Sequence, residues 1–179
     1  MSVIPTGTVC FSINHTDWRS KAIAWFQGTQ YSHVFVHAGT FLDEPMVIES
    51  GTKGVAVRPW RHYTVKDYGY TVFYPNFTGQ NEVEEALKVL AHDLDRPYGY
   101  FGAAWLGLKL LFLRFGIRLS RKQKSRDLVC SGLVFKYLRM LPAVSPKFGH
   151  LIAGEVLPKD LFDIMHARPD LFFHTETRP

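Results

Sequence analysis

The sequence predicts an α+β domain: a small, curved antiparallel sheet packed with helices. Strand-like runs rich in β-branched and aromatic residues fill positions 6–74, and helical periodicity takes over from Gly79 onward. A block of strands followed by a block of helices points to segregated layers rather than to alternating βαβ units. The 179 residues are 46% hydrophobic and 21% charged, which suits one packed core and excludes a disordered chain. With no internal repeat, low-complexity tract or linker, residues 1–179 read as a single domain. Within it, 101–126 stands out as an insertion-like apolar and basic segment.

Residues 6–13 alternate loosely and form the first predicted strand. Thr16 or Asp17 is placed to cap a short helix reaching Phe26, with Trp18, Ala22, Trp25 and Phe26 on its apolar side. Residues 31–38 read as a strand, 39–45 as a turn, 46–50 as the next strand and 55–59 as its hairpin partner. A further strand at 68–74 is closed by Pro75, so the first half reads as an antiparallel meander. Residues 79–94 have the helical period, with Val83, Ala86, Leu87 and Leu90 inward and acidic residues in the first turn. Arg96-Pro97 breaks it. A helix opens near Cys130 and ends at Leu141-Pro142, and a short one is expected around 157–161.

Composition narrows function less. The net charge of +5 suits an anionic partner such as cell-wall polymer, a lipid surface or nucleic acid, and no nucleic-acid-binding motif accompanies it. Two cysteines are no disulfide scaffold, and Cys10 sits in an apolar strand, where a buried thiol is expected. The start of the chain lacks the basic and apolar regions of a secretory signal. The expectation is therefore synthesis into the cytoplasm, with export or delivery in a virus particle as alternatives.

Cys130, in Val-Cys-Ser-Gly-Leu, is the residue that could carry chemistry. A thiol attacks only as its thiolate, and the amino end of a helix favours an anion and offers free N–H groups to an oxyanion. A buried structural cysteine is the competing reading. Ser131 lacks the preceding glycine of a nucleophile elbow and is set aside. His33 is the candidate base. His37 shares its strand face but stands roughly 13 Å away at ~3.3 Å per residue, too far to share a metal ion, so neither a metal nor a cofactor is expected. Glu49 is the candidate for orienting the imidazole: a hairpin turning about Phe41 sets residues 33 and 49 opposite each other on one face. An exposed strand-end carboxylate is the alternative.

The order Tyr-Ser-His-Val, Val-Ile-Glu-Ser, Arg-Pro-Tyr-Gly-Tyr, Val-Cys-Ser-Gly-Leu-Val resembles the permuted branch of the NlpC-like papain-fold hydrolases. That branch includes the YiiX-like and lecithin:retinol acyltransferase-like proteins, and in it the histidine strand precedes the cysteine helix. The likeness runs from about residue 6 to 165 and takes in Gly7-Thr8, Gly54-Val55 and the Leu-Pro-Lys-Asp-Leu run at 157–161. It implies a circularly permuted papain-like fold, Cys130 as nucleophile, His33 as base and then acid, Glu49 as orienting residue, and Tyr98 beside the oxyanion. Gly99 stands where many relatives carry Asp, and the interval from Tyr98 to Cys130 is long.

Residues 101–117 are short for a membrane span and carry Lys109 and Arg114, so no transmembrane helix is expected. A core helix leading to a solvated basic loop competes with a bilayer-surface helix followed by Arg118, Arg121, Lys122, Lys124 and Arg126. Three functions follow. The first is a thiol hydrolase of an amide, with bacterial cell-wall peptide as the substrate class the resemblance implies. The second is a lipid-directed thiol acyltransferase or esterase at a membrane surface. The third is a non-catalytic papain-like binding or structural module, for instance in a phage particle.

Overall fold

Alternation along each strand sorts side chains onto two faces, and the sheet is built around that sorting. The computed structural model describes residues 4–76, 79–99, 129–149, 151 and 155–177. Six antiparallel strands are β1 (Val9–Asn14), β2 (His33–Phe41), β3 (Glu44–Gly51), β4 (Gly54–Pro59), β5 (Tyr68–Pro75) and β6 (Phe172–Thr177), in the order β4-β3-β2-β1-β5-β6. The helices are α1 (Trp18–Gln27), α2 (Gln80–Ala91), α3 (Cys130–Met140) and α4 (Pro158–His166). The segment 101–126, with its basic residues, lies outside the described residues.

One face of the sheet carries Val9, Phe11, Val34, Val36, Ile48, Val55 and Phe73. Against it pack Leu133, Val134, Tyr137 and Leu138 of α3, Ala86 and Leu90 of α2, and Leu161 and Met165 of α4. The other face carries Cys10, Phe35, Val47 and Val72, covered by Trp60 and Tyr63 from the 3-10 turn that follows β4. Cys10 is thus the buried thiol the sequence suggests, and burial pushes its pKa up. The helix α3 is buried nearly all round and is the hub of the larger core. Its Tyr137 hydroxyl donates to the Gly7 carbonyl at 2.9 Å. Gly7 has φ +85°, and a Cβ there would meet Tyr137 Oη at 2.5 Å and Val83 Cγ1 at 2.6 Å.

Several expectations are corrected. The sheet is not a simple meander, because β5 crosses from the β4 edge to pair with β1 on the far side of β2. The strand β6 was not expected; it pairs with the exposed edge of β5, from Tyr70↔Thr177 to Pro75↔Phe172. The turn between β2 and β3 is Leu42-Asp43, both at positive φ, not a longer loop centred on Phe41. A bulge between His37 and Gly39 then leaves Val36 opposite Ile48, which carries Glu49 to the level of Phe35 rather than His33. Finally, α1 does not bury the face that its apolar residues mark: Trp18, Trp25 and Phe26 point outward, and Ser20 and Ala24 are the buried pair.

Candidate active site

The site forms at one end of the sheet. Antiparallel pairing brings the end of β1, the starts of β2 and β5, and the β3–β4 turn to the same edge: Ser12 faces His33, Asn14 faces Tyr68, and Gly51 faces Gly54. The start of α3 reaches that edge too. Val129 is extended (φ −86°, ψ 163°) and has no side-chain cap, so Cys130 is the first helical residue. The first intrahelical bond runs from Leu133 N–H to the Val129 carbonyl at 3.0 Å. The first-turn N–H groups of Cys130, Ser131 and Gly132 therefore have no partner within the helix.

Cys130 neighbours the His33 imidazole closely enough for its side chain to act on the ring's titration, raising it. The other side of the imidazole meets Glu49, with His33 Nε2 donating to Glu49 Oε2 at 2.6 Å. That bond occupies Nε2 and leaves Nδ1 for the thiol. Because His33 is the first residue of β2, its ring sits where the strand ends. There it reaches both α3 and the aromatic layer of the second face, 5.6 Å from the Phe35 ring and 6.1 Å from that of Tyr63. The direct opposition of residues 33 and 49 fails by register, yet the glutamate side chain is long enough to span the diagonal.

Glu49 is itself held from three sides. Tyr63 donates its hydroxyl to Oε2, and Arg58 Nε lies 2.5 Å from Oε1. The carboxylate is 6% exposed. Burial alone would raise its pKa, but the His33 bond and charge, the Tyr63 hydroxyl and the Arg58 guanidinium reverse this and hold it at about 2. The balance at His33 is similar. Burial would lower its pKa, but the neighbouring Cys130 side chain and the Glu49 carboxylate push it up to about 10. Burial, and then the neighbouring Glu49 charge, raise the Tyr63 hydroxyl. The result is a fixed anion behind the imidazole, which favours the imidazolium form.

Arg58 and Tyr63 were not among the residues singled out from sequence. A cation ending a strand and a tyrosine in the next turn carry no spacing signal until the fold places them. Ser131 Oγ donates to the Val156 carbonyl at 2.6 Å and is fully buried, so it is structural. His37 is buried with Nδ1 3.1 Å from the Pro5 carbonyl, and burial lowers its pKa. Tyr98, half-buried, stands two residues past Arg96, whose carbonyl accepts from Val55 N–H at 2.9 Å beside the β3–β4 turn. The structure thus brings the Tyr98 segment to the same end of the sheet as Glu49.

A histidine strand preceding a cysteine helix, on a six-stranded antiparallel sheet, is the permuted papain-like architecture. Among solved structures the chain is similar to metalloprotein yiiX from Escherichia coli O157:H7, with a TM-score of 0.66 and 17% sequence identity. The alignment covers 97% of this chain and 98% of that one, so the whole fold is shared. No family model and no curated protein sequence matches the chain. The yiiX protein is described as a metalloprotein. Among the described residues here, no group of three or more His, Cys, Asp or Glu side chains is placed to hold a metal ion. His33 and Glu49 are engaged with each other, Nε2 to Oε2 at 2.6 Å. Among the described residues no helix is long and apolar enough to cross a membrane.

Proposed function

We propose that the protein is a thiol hydrolase that cleaves an amide bond, with a bacterial cell-wall peptide as the substrate class. The observation that carries this reading is the chain of contacts from Cys130 to His33 to Glu49, with Tyr63 and Arg58 behind the carboxylate. Cys130 Sγ, as the thiolate paired with the His33 imidazolium, adds to the carbonyl carbon, and the carbonyl π electrons move to oxygen. The first-turn N–H groups of α3, which have no partner within the helix, face that oxyanion, and Tyr98 is the additional donor that the family resemblance implies there. As the oxyanion collapses, the C–N bond breaks and His33 delivers its proton to the leaving nitrogen, leaving a thioester on Cys130. The neutral imidazole then takes a proton from water. The hydroxide adds to the thioester, the C–S bond breaks, and the acid departs as the thiolate–imidazolium pair is restored. Glu49 stays ionised throughout and fixes the ring and its tautomer.

The cell-wall substrate rests on likeness to the NlpC-like hydrolases, with residues 1–179 acting as one hydrolase domain. Digestion of purified peptidoglycan, with mass analysis of the soluble products, tests it. New amine and carboxyl termini should appear with the wild-type protein and not with Cys130→Ala. Acyl transfer from phospholipid without peptidoglycan cleavage would move the substrate to lipid. Absence of Cys130-dependent chemistry on both would leave a binding module.

A further inference from the structure

The helix α1 is built inside out. At ~100° per residue, Trp18, Ala22, Trp25 and Phe26 form one stripe, the pattern of a core-facing helix. Here that stripe faces outward: Trp18 is 72% exposed, Trp25 60% and Phe26 41%. Ile23, at the stripe's edge, is also exposed. The helix is attached by its small residues instead. Ser20 and Ala24 are buried, Ser20 Oγ accepts from Asn14 N–H at 2.9 Å, and it also hydrogen-bonds Ser32 Oγ. The start is secured by Asn14 Oδ1, which accepts from Thr16 and Asp17 N–H, and by the Asp17 cap on Arg19 N–H. Three exposed large aromatic side chains on ten residues is a concentration that a helix serving only to cover a sheet would not keep.

Its charges say what the stripe suits. Arg19 and Lys21 fall on opposite flanks of the aromatic stripe, and no carboxylate lies between residues 18 and 27. The Arg19 guanidinium sits 5.8 Å from the Trp18 ring centroid. Aromatic rings at the centre with cations on both sides match the layering of a bilayer surface, with rings at the acyl boundary and cations among phosphates.

We propose that α1 docks the protein on an anionic lipid surface. Docking through this helix places the reactive end of the sheet beside the bilayer, because α1 joins β1 to β2 and Ser32, its contact, directly precedes His33. The inference does not depend on what Cys130 cleaves. It is tested by co-sedimentation of the full chain with vesicles of phosphatidylcholine alone or mixed with phosphatidylglycerol. Wild type should pellet with the mixed vesicles far more than with phosphatidylcholine. The Trp18→Ser/Trp25→Ser/Phe26→Ser variant should lose ~tenfold or more of that partitioning while melting like wild type, since the replaced groups point outward. Arg19→Glu/Lys21→Glu should weaken binding to the mixed vesicles and flatten its dependence on salt. Unchanged binding by the triple variant would assign the lipid affinity to other residues, such as Arg118–Arg126, and overturn the proposal. So would failure of wild type to bind either vesicle, or wild-type self-association abolished by the triple variant without lipid binding, which would make the occupant a second copy.

Discussion

Replacing Glu49 with Gln keeps the shape of the side chain and an oxygen for the His33 Nε2 proton, but removes the buried negative charge. The His33 imidazole lies 2.6 Å from that charge and its side chain is 22% exposed, so solvent screens the pair only in part. The rise of His33 from 6.5 to about 10 corresponds to ~5 kcal/mol of net preference for the imidazolium, left after burial opposes it and Cys130 and Glu49 favour it. An opposite charge at this range commonly moves a pKa by ~1–3 units, which is the share assigned to Glu49. The expected outcome is a His33 pKa lower by ~1–3 units in Glu49→Gln, read by NMR titration of the imidazole protons. His33→Asn identifies the resonance among the eight histidines. A His33 that titrates at the wild-type value in Glu49→Gln would refute the electrostatic argument, whatever the variant does to activity.

Other consequences follow from the same contacts. Tyr63→Phe removes one donor from Glu49 and should leave the carboxylate ionised but less firmly held; the expected cost is about 1 kcal/mol in denaturant unfolding, without the fall in His33 pKa that Glu49→Gln produces. Glu49 falls from 4.5 in the unfolded chain to about 2 when folded, so its contribution is fully present above pH 4.5 and lost as pH falls through about 2. That contribution is ~3 kcal/mol, and equilibrium unfolding across the acid range should show it in wild type and not in Glu49→Gln. His33 has the opposite sign: its raised pKa stabilises the fold below pH 6.5, and the benefit disappears as pH rises through about 10. Gly54 has φ +101°, and an added Cβ would meet the Arg96 carbonyl oxygen at 2.4 Å. Gly54→Ala should therefore cost about 2 kcal/mol or more, measured by thermal unfolding, and shift the Arg96–Tyr98 segment away from the β3–β4 turn.

Much of the fold was legible because its signals are local. The Cys130 helix start, the Val83, Ala86 and Leu90 spacing and the Pro158 helix depend on neighbours within a few residues, and each was found where expected. Periodicity failed at α1 for a definite reason: it reveals that an apolar stripe exists, not which way it faces. Register failed at β2–β3 because a two-residue turn and a bulge each shift the pairing, and neither has a strong sequence mark around Leu42-Asp43 and Ala38. The strand β6 went unseen because Phe172-Phe173-His174 becomes a strand only by pairing with the edge of β5. The site divides the same way. His33, Glu49 and Cys130 could be proposed from motifs that come in a telling order. Arg58 and Tyr63 could not, because only the β3–β4 pairing and the turn after it bring them to one carboxylate.

The central claim is that Cys130 is a nucleophile activated by His33. Alkylation with iodoacetamide tests this most directly, with rates followed by intact mass and the modified residue located by peptide mass analysis. Cys10 is fully buried on the far face of the sheet and serves as the internal control. The account predicts a single adduct at Cys130 that forms ~tenfold or more slowly in His33→Ala, with Cys10 untouched in the folded protein. Equal rates with and without His33, or modification of Cys10 ahead of Cys130, would contradict it.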